Sequence, residues 1–303
     1  MIRAGSKIGI VCCSDGQNRE YAGRIRRLEE VLKSIGLQPV FSDSIYVSEE
    51  GLSSMAQERA AALMNFYRDD EIRGIFDISG GDLANGILPY LDYDVIADSG
   101  KTFWGYSDLT TVINAVYAKT GKASVLYQIR NLIYDHAKRQ TADFRNSVID
   151  GGEELFRIEK HFLTADRQAE CEVTDKVETT GNQRQLHGIV VGGNIRCFLK
   201  LAGTEYMPDL TDKILLLESY SGTAARMETY LCQLEQLGAF RKAAGVLLGT
   251  FTEMQEKRCR PSMETLVRRY AGADMPIAVT GQIGHGTDAK GIWIGREYIF
   301  GAK

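Results

Sequence analysis

The chain has 303 residues, 44% of them hydrophobic and 25% charged, with a formal net charge of −4. This is the composition of a soluble globular protein large enough for a sizeable core, and it excludes a disordered chain. The mildly acidic balance leaves no electrostatic footprint for nucleic acid, and no apolar run approaches the ~20 residues that cross a bilayer.

The N-terminal residues lead into a strand at 7–13 without a signal-peptide pattern, so the cytoplasm is the expected compartment. That strand holds Cys12 and Cys13, which read as packed small hydrophobes. The six cysteines, at 12, 13, 171, 197, 232 and 259, form no Cys-x-x-Cys pair and are read as reduced. A helix is predicted over 18–35, because Ile25, Leu28, Leu32 and Ile35 recur at steps of three and four, with Gly36 as its stop. A strand follows at 38–42. A second helix is read at 53–68, with Ala56, Ala60, Leu63, Met64 and Tyr67 as its core face. A strand at 74–78 opens into Ser79-Gly-Gly-Asp-Leu-Ala-Asn-Gly86. A strand at 101–104, a turn at 105–108, a helix at 109–118 and a strand at 123–128 complete the first half. Strands separated by helices specify a parallel sheet covered on both faces, whose ligands bind beyond the strand C-terminal ends.

From about 150 to 182 the pattern degrades into a polar stretch with Gly151-Gly152 and Gly181-Asn182 as turn signals. The expected organisation is a first domain at 1–150, a join at 151–185 and a second domain at 186–303. The second half begins with Gly188-Ile-Val-Val-Gly-Gly-Asn194 and a helix to about 201. A strand at 213–217 ends in Glu218. A helix at 223–237 carries the stripe Met227, Tyr230, Leu231, Leu234 and Leu237, closed by Gly238. A strand at 244–249, a helix at 261–270 and a strand at 276–280 precede Gly281-Gln-Ile-Gly-His-Gly286. Residues 291–294 and 298–300 read as a closing hairpin.

Three polar residues at predicted strand ends carry the chemistry. Ser107, in Gly105-Tyr106-Ser107-Asp108, stands between a strand end and a helix start. Such a serine is either a helix N-cap or an exposed nucleophile in the field of the helix N-terminus. Glu218 is either the first solvated residue after a buried run or the carboxylate that orients an imidazole. His285 is flanked by Gly284 and Gly286, which leave room for an imidazole to reach a substrate. His136, His161 and His187 read as surface or join residues. Serine, carboxylate, histidine is also the chain order of the α/β-hydrolase triad. With Ser107 from the first domain and its partners from the second, the cleft would lie between domains. Gly80-Gly81 lacks the Lys-Ser/Thr of a P-loop, and no G-x-G-x-x-G opens a helix. The N–H groups of Gly81 and Asp108 instead suit an oxyanion hole. No metal-ligand spacing appears, and no cofactor is expected.

Ile8-Gly-Ile-Val11, Gly80-Gly81 with Leu88-Pro-Tyr-Leu-Asp92, Gly105-Tyr-Ser-Asp108, Gly188-Ile-Val-Val-Gly-Gly-Asn194, Ile214-Leu-Leu-Leu-Glu218, Gly245-Val-Leu-Leu-Gly249 and Gly284-His285 span most of the chain. In this order they resemble the LD-carboxypeptidase family of serine peptidases, which includes murein tetrapeptide carboxypeptidases and microcin C immunity peptidases. The resemblance implies a Ser107-Glu218-His285 triad and an oxyanion hole on the backbone of Gly81 and Asp108. It also implies a flavodoxin-like first domain, a β-rich second domain and often a homodimer. Gly80, Asp82 and Tyr106 are the expected substrate contacts. Two departures stand out: Ser79 replaces the family's arginine before the glycine pair, and Val125-Leu-Tyr-Gln-Ile-Arg130 lacks the usual Gly-Pro. Leu88-Pro-Tyr-Leu-Asp-Tyr-Asp94 is closer to the immunity branch.

The expected activity is a metal-free serine carboxypeptidase acting on a small peptide, with the L-centre to D-Ala bond of a murein tetrapeptide as leading substrate. The alternatives are a microcin-immunity-like hydrolase of peptidyl-nucleotides or aminoacyl amides, and a non-catalytic peptide-binding protein. A carboxypeptidase must hold a terminal carboxylate, and Arg130, Arg184 and Arg196 are the candidate cations.

Overall fold

Two six-stranded sheets organise the chain, and the computed structural model describes residues 1–151, 161–162 and 186–300. The first sheet contains β1 (Lys7–Val11), β2 (Gln38–Phe41), β3 (Ile72–Asp77), β4 (Thr102–Gly105) and β5 (Ser124–Leu126). These run parallel in the order 2-1-3-4-5, the flavodoxin-like arrangement. The second sheet contains β6 (His161–Phe162), β7 (Leu186–Asn194), β8 (Lys213–Ser219), β9 (Gly245–Phe251) and β10 (Ile277–Val279). Strands β7 to β10 are parallel, and β6 closes one edge antiparallel to β10.

The expected closing hairpin does not form. β11 (Ile292–Ile294) pairs antiparallel with β5 in the first sheet, whereas β12 (Glu297–Phe300) pairs antiparallel with β7 in the second. Gly295 and Arg296 make the passage, anchored by backbone hydrogen bonds to both polar groups of Val190. The reason is burial. Ile292 and Ile294 are fully buried, and a two-stranded ribbon alone could not cover them.

In the first sheet the short apolar runs become buried strands because helices cover both faces. Alternate residues of β1 face opposite sides. Ile8 and Ile10 pack with Leu28 and Leu32 of the helix Ala22–Ser34, while Val11 packs with Leu63 and Val112 on the other face. The helix at 53–68 starts only at Ala56. Residues 19–21 form a 3-10 turn before the first helix, under an Asn18 side-chain cap. One apolar cluster runs from Leu109 and Val112 through Val191 and Leu215 to Ile292, so the two sheets share a core. In the helix Ala224–Gln236, Met227, Leu231 and Leu234 are fully buried, each contributing about 1.5–3 kcal/mol of apolar burial.

Polar bonds fix how the two halves meet. The helix Thr110–Thr120 follows Ser107, and its buried Asn114 donates to the Gly192 carbonyl and accepts from the Gly192 N–H, at 2.9 and 2.8 Å. Thr110 Oγ1 accepts from Asn194 N–H at 3.1 Å. No helix among the described residues is long and apolar enough to cross a membrane.

Candidate active site

Ser107 ends the β4 turn with φ +54°, a left-handed conformation uncommon for a residue with a side chain. It opens a 3-10 turn, Ser107–Leu109, that runs directly into the helix Thr110–Thr120. A strained serine at a strand-to-helix junction is the geometry of a nucleophile elbow. The side chain is not a cap; it is directed at His285.

His285 Nε2 lies 3.1 Å from Ser107 Oγ, and Nδ1 lies 2.7 Å from Glu218 Oε2. A carboxylate only accepts, so Nδ1 carries the hydrogen and Nε2 is left as the acceptor for the serine hydroxyl. Glu218 is on β8 and fully buried, rather than being the first solvated residue after its apolar run. Its Oε1 has no hydrogen-bond partner among the described residues. The loop bearing His285 approaches β9 closely. A Cβ on Gly284, whose φ is +145°, would overlap Thr250 Oγ1, and Thr250 N–H donates to the Ile283 carbonyl at 2.8 Å. Tyr106 and Tyr220 bracket the imidazole, with ring centroids 4.5 and 5.2 Å away. Burial, and then the Glu218 charge, push the Tyr106 hydroxyl well above its usual value, so it stays neutral.

The glycine loop is held against the elbow by a charged network that sequence reasoning missed. Asp108 is fully buried; its carboxylate accepts from Ser14 Oγ at 2.7 Å, Ala84 N–H at 2.8 Å and Lys200 Nζ at 2.6 Å. Lys200 also donates to the Asp82 carbonyl at 2.8 Å. Arg196 pairs with Asp82 and donates to the Gly81 carbonyl. Asp77 ends β3 and accepts from Cys13 N–H, Ser79 N–H and Ser79 Oγ at 2.5–2.6 Å. Burial raises the Asp77 carboxyl above its usual value, opposed by those hydrogen bonds. Arg59, buried on the helix Ala56–Arg68, donates to the carbonyls of Ser54, Cys13, Ser14 and Leu83. Asp15 presses on Gly81 so closely that a Cβ there would sit 2.0 Å from its Oδ2. Burial first, and then the Asp108 charge, raise the Asp15 carboxyl.

A cleft of about 380 Å³ opens beside the imidazole, within the usual range for small ligands. Tyr106, Gln128, Arg130, Tyr134, Tyr220 and His285 are among its walls. Gly80 and Asp82 lie outside those walls, on the loop beside Arg196 and Lys200. His136 is exposed, and His187 pairs with Glu297 at 2.8 Å on β12. Arg184, Cys171 and the side chain of His161 lie outside the described residues. The five described cysteines are free. Among the described residues no group of three His, Cys, Asp or Glu side chains could hold a metal ion.

A serine, an imidazole and a buried carboxylate joined in this order, at the C-terminal ends of parallel strands, are the working parts of a serine hydrolase. Residues 8–127 match the LD-carboxypeptidase N-terminal domain, and residues 187–299 match the LD-carboxypeptidase C-terminal domain. The chain therefore belongs to the LD-carboxypeptidase family, and it is a carboxypeptidase of the serine type. A putative carboxypeptidase of Treponema pallidum is 26% identical over 95% of this chain and 87% of its own. A probable murein peptide carboxypeptidase of Bacillus subtilis is 26% identical over 88% and 80%. The microcin C7 self-immunity protein MccF of Escherichia coli is 26% identical over 91% and 85%. The fold matches the crystal structure of an MccF-like protein from Bacillus anthracis with a TM-score of 0.79, 24% identity and 100% and 95% coverage.

Proposed function

We propose that the protein hydrolyses the bond between an L-centre and a terminal D-Ala in a murein tetrapeptide, with Ser107 as nucleophile. The observation that carries the mechanism is the hydrogen-bonded chain from Ser107 Oγ through His285 to buried Glu218. His285 Nε2 takes the Ser107 proton as Oγ attacks the scissile carbonyl carbon. Glu218 holds Nδ1–H and stabilises the imidazolium that forms. The N–H groups of Gly81 and Asp108 receive the oxyanion, a contribution of about 2.7–4 kcal/mol per donor. As the tetrahedral intermediate collapses, His285 gives its proton to the departing D-Ala amine. An acyl-serine remains. Water then loses a proton to His285, attacks the acyl carbon and frees the tripeptide and Ser107. Tyr106 forms the cleft wall against the substrate, and Gly80 and Asp82 shape the loop that carries the oxyanion donor.

The substrate choice is supported by relatives named as murein peptide carboxypeptidases. A second reading, cleavage of a peptidyl-nucleotide or aminoacyl amide, is favoured by one observation: MccF matches at the same 26% identity as the murein-type relative. The deciding experiment measures D-Ala release from a tetrapeptide beside turnover of a peptidyl-adenylate analogue, for the wild type and Ser107→Ala. Release of D-Ala that Ser107→Ala abolishes is the expected result. Turnover of the adenylate alone establishes the second reading. Failure of a serine-directed phosphonate to label Ser107 would remove Ser107 from the nucleophile role.

A further inference from the structure

We propose that Arg130 reads the terminal carboxylate of the residue that leaves, from the cleft wall beside His285; this rests on the carboxypeptidase reading above. Two other cations beside the site are already paired. Arg196 is spent on Asp82 and the Gly81 carbonyl, and Lys200 on Asp108 and the Asp82 carbonyl. Arg130 differs. It lines the same cleft as His285, is half-buried, and has no acidic partner among the described residues.

What holds Arg130 is neutral. Its Nε donates to Gln128 Oε1 at 3.2 Å, and one terminal nitrogen donates to Gln17 Oε1 at 3.3 Å. Gln128 Oε1 also accepts from Arg130 N–H, and the Gln17 amide is oriented by its own bond to the Ile78 carbonyl at 3.0 Å. Two long bonds to amide oxygens aim the guanidinium without neutralising it. The second terminal nitrogen has no partner among the described residues, so the fork presents donors to the cleft. A planar fork in a partly desolvated wall is matched by a carboxylate bound bidentately. Tyr106, Tyr134 and Tyr220 line the same cleft and lower its local dielectric, which strengthens the pair. The position also fits the chemistry. A carboxypeptidase needs its anion reader within one residue of the nucleophile–base pair, and the cleft contains both the base and Arg130.

The test compares the free-acid tetrapeptide, its C-terminal amide and a peptide with only its side-chain carboxylates neutralised. Each is assayed with the wild type, Arg130→Gln and Arg130→Lys, with unfolding midpoints measured in parallel. Arg130→Gln is expected to lower kcat/KM for the free acid by about 10²-fold and to leave the amide nearly unchanged. Arg130→Lys is expected to retain charge but not the fork, giving an intermediate loss again confined to the free acid. The side-chain-neutralised peptide is expected to suffer the same loss as its parent. Equal losses on acid and amide overturn the proposal, as does an unchanged rate on the acid. A loss that vanishes only when side-chain carboxylates are neutralised places Arg130 on a different carboxylate and also overturns it. If Arg130→Gln does not fold, the same criteria apply to Arg130→Lys. Should the wild type cleave no peptide at all, the carboxypeptidase reading itself fails, and this inference falls with it.

Discussion

Replacing Glu218 by glutamine keeps the side-chain shape and removes its charge. In the native protein the carboxylate accepts from His285 Nδ1–H at 2.7 Å, and this bond leaves Nε2 unprotonated towards Ser107. A glutamine amide can donate in its place, which turns the imidazole to the wrong tautomer. In serine proteases the equivalent carboxylate-to-amide change costs about 10⁴ in kcat. A loss of about 10³–10⁴, or ~4–5.5 kcal/mol of transition-state stabilisation, is expected here. Stability should move the other way. Glu218 is fully buried and its Oε1 has no partner among the described residues, so a charge is carried with half its acceptor capacity unmet. A neutral amide is cheaper to bury, and the unfolding midpoint should be equal or higher. Steady-state D-Ala release and a thermal melt read the two effects separately. A kcat within tenfold of wild type would show that Glu218 does not set the tautomer, and a lower midpoint would refute the burial argument.

Three further outcomes are expected. Ser107→Gly removes the proposed nucleophile and the strain of φ +54°, so turnover is expected to be lost while the melting temperature rises by the equivalent of about 1 kcal/mol; a lower midpoint would contradict the strain. Gly81→Ala must place a Cβ 2.0 Å from Asp15 Oδ2 at φ +114°, so kcat should fall about 10²-fold or more with little change in KM, and wild-type kinetics would remove Gly81 from the oxyanion hole. Asp15→Asn should stabilise the protein at neutral pH. The native Asp15 carboxyl is raised above its unfolded value, so the folded state holds the proton more tightly, and the penalty grows as pH rises from the unfolded pKa through the folded one. The gain in midpoint should therefore shrink as pH falls towards about 4, and a gain that grows on acidification refutes it.

The parallel strands were legible because buried strands are short apolar runs, and the first two helices because their apolar residues keep helical spacing. Ser107, Glu218 and His285 were legible as polar residues at strand ends, the places where an α/β sheet opens to ligand. The residues that support them were not. Asp77 and Cys13 are 64 residues apart, and Lys200 and Asp108 are 92. No local period encodes bonds of that range. Arg59 carried a readable signal, a charge on the apolar stripe of Ala60 and Leu63, but only the fold shows that it ties four carbonyls. The hairpin expected at 291–300 failed for a related reason. Local alternation specifies strands, and it does not specify which sheet receives them.

That misplaced hairpin shows how the site is kept in register. Ser107 belongs to the first sheet, while Glu218 and the loop bearing His285 belong to the second, so the 3.1 Å contact spans two separately built layers. A misplacement of about 1 Å can cost 10²-fold in rate, so the layers cannot be free to slide. Three kinds of bond prevent it. β11 and β12 leave one short segment for opposite sheets and tie their edges covalently. Asn114 and Thr110, in the helix that starts at the elbow, bond to the backbone of β7 beside β8. Lys200, from the second half, reaches Asp108, the residue after Ser107, where its charge meets a fully buried carboxylate. Each of these bonds ends within a few residues of Ser107 or on the strand next to that of Glu218. The energy that fixes the relative position of the layers is thus concentrated where a small displacement would break the proton path between them.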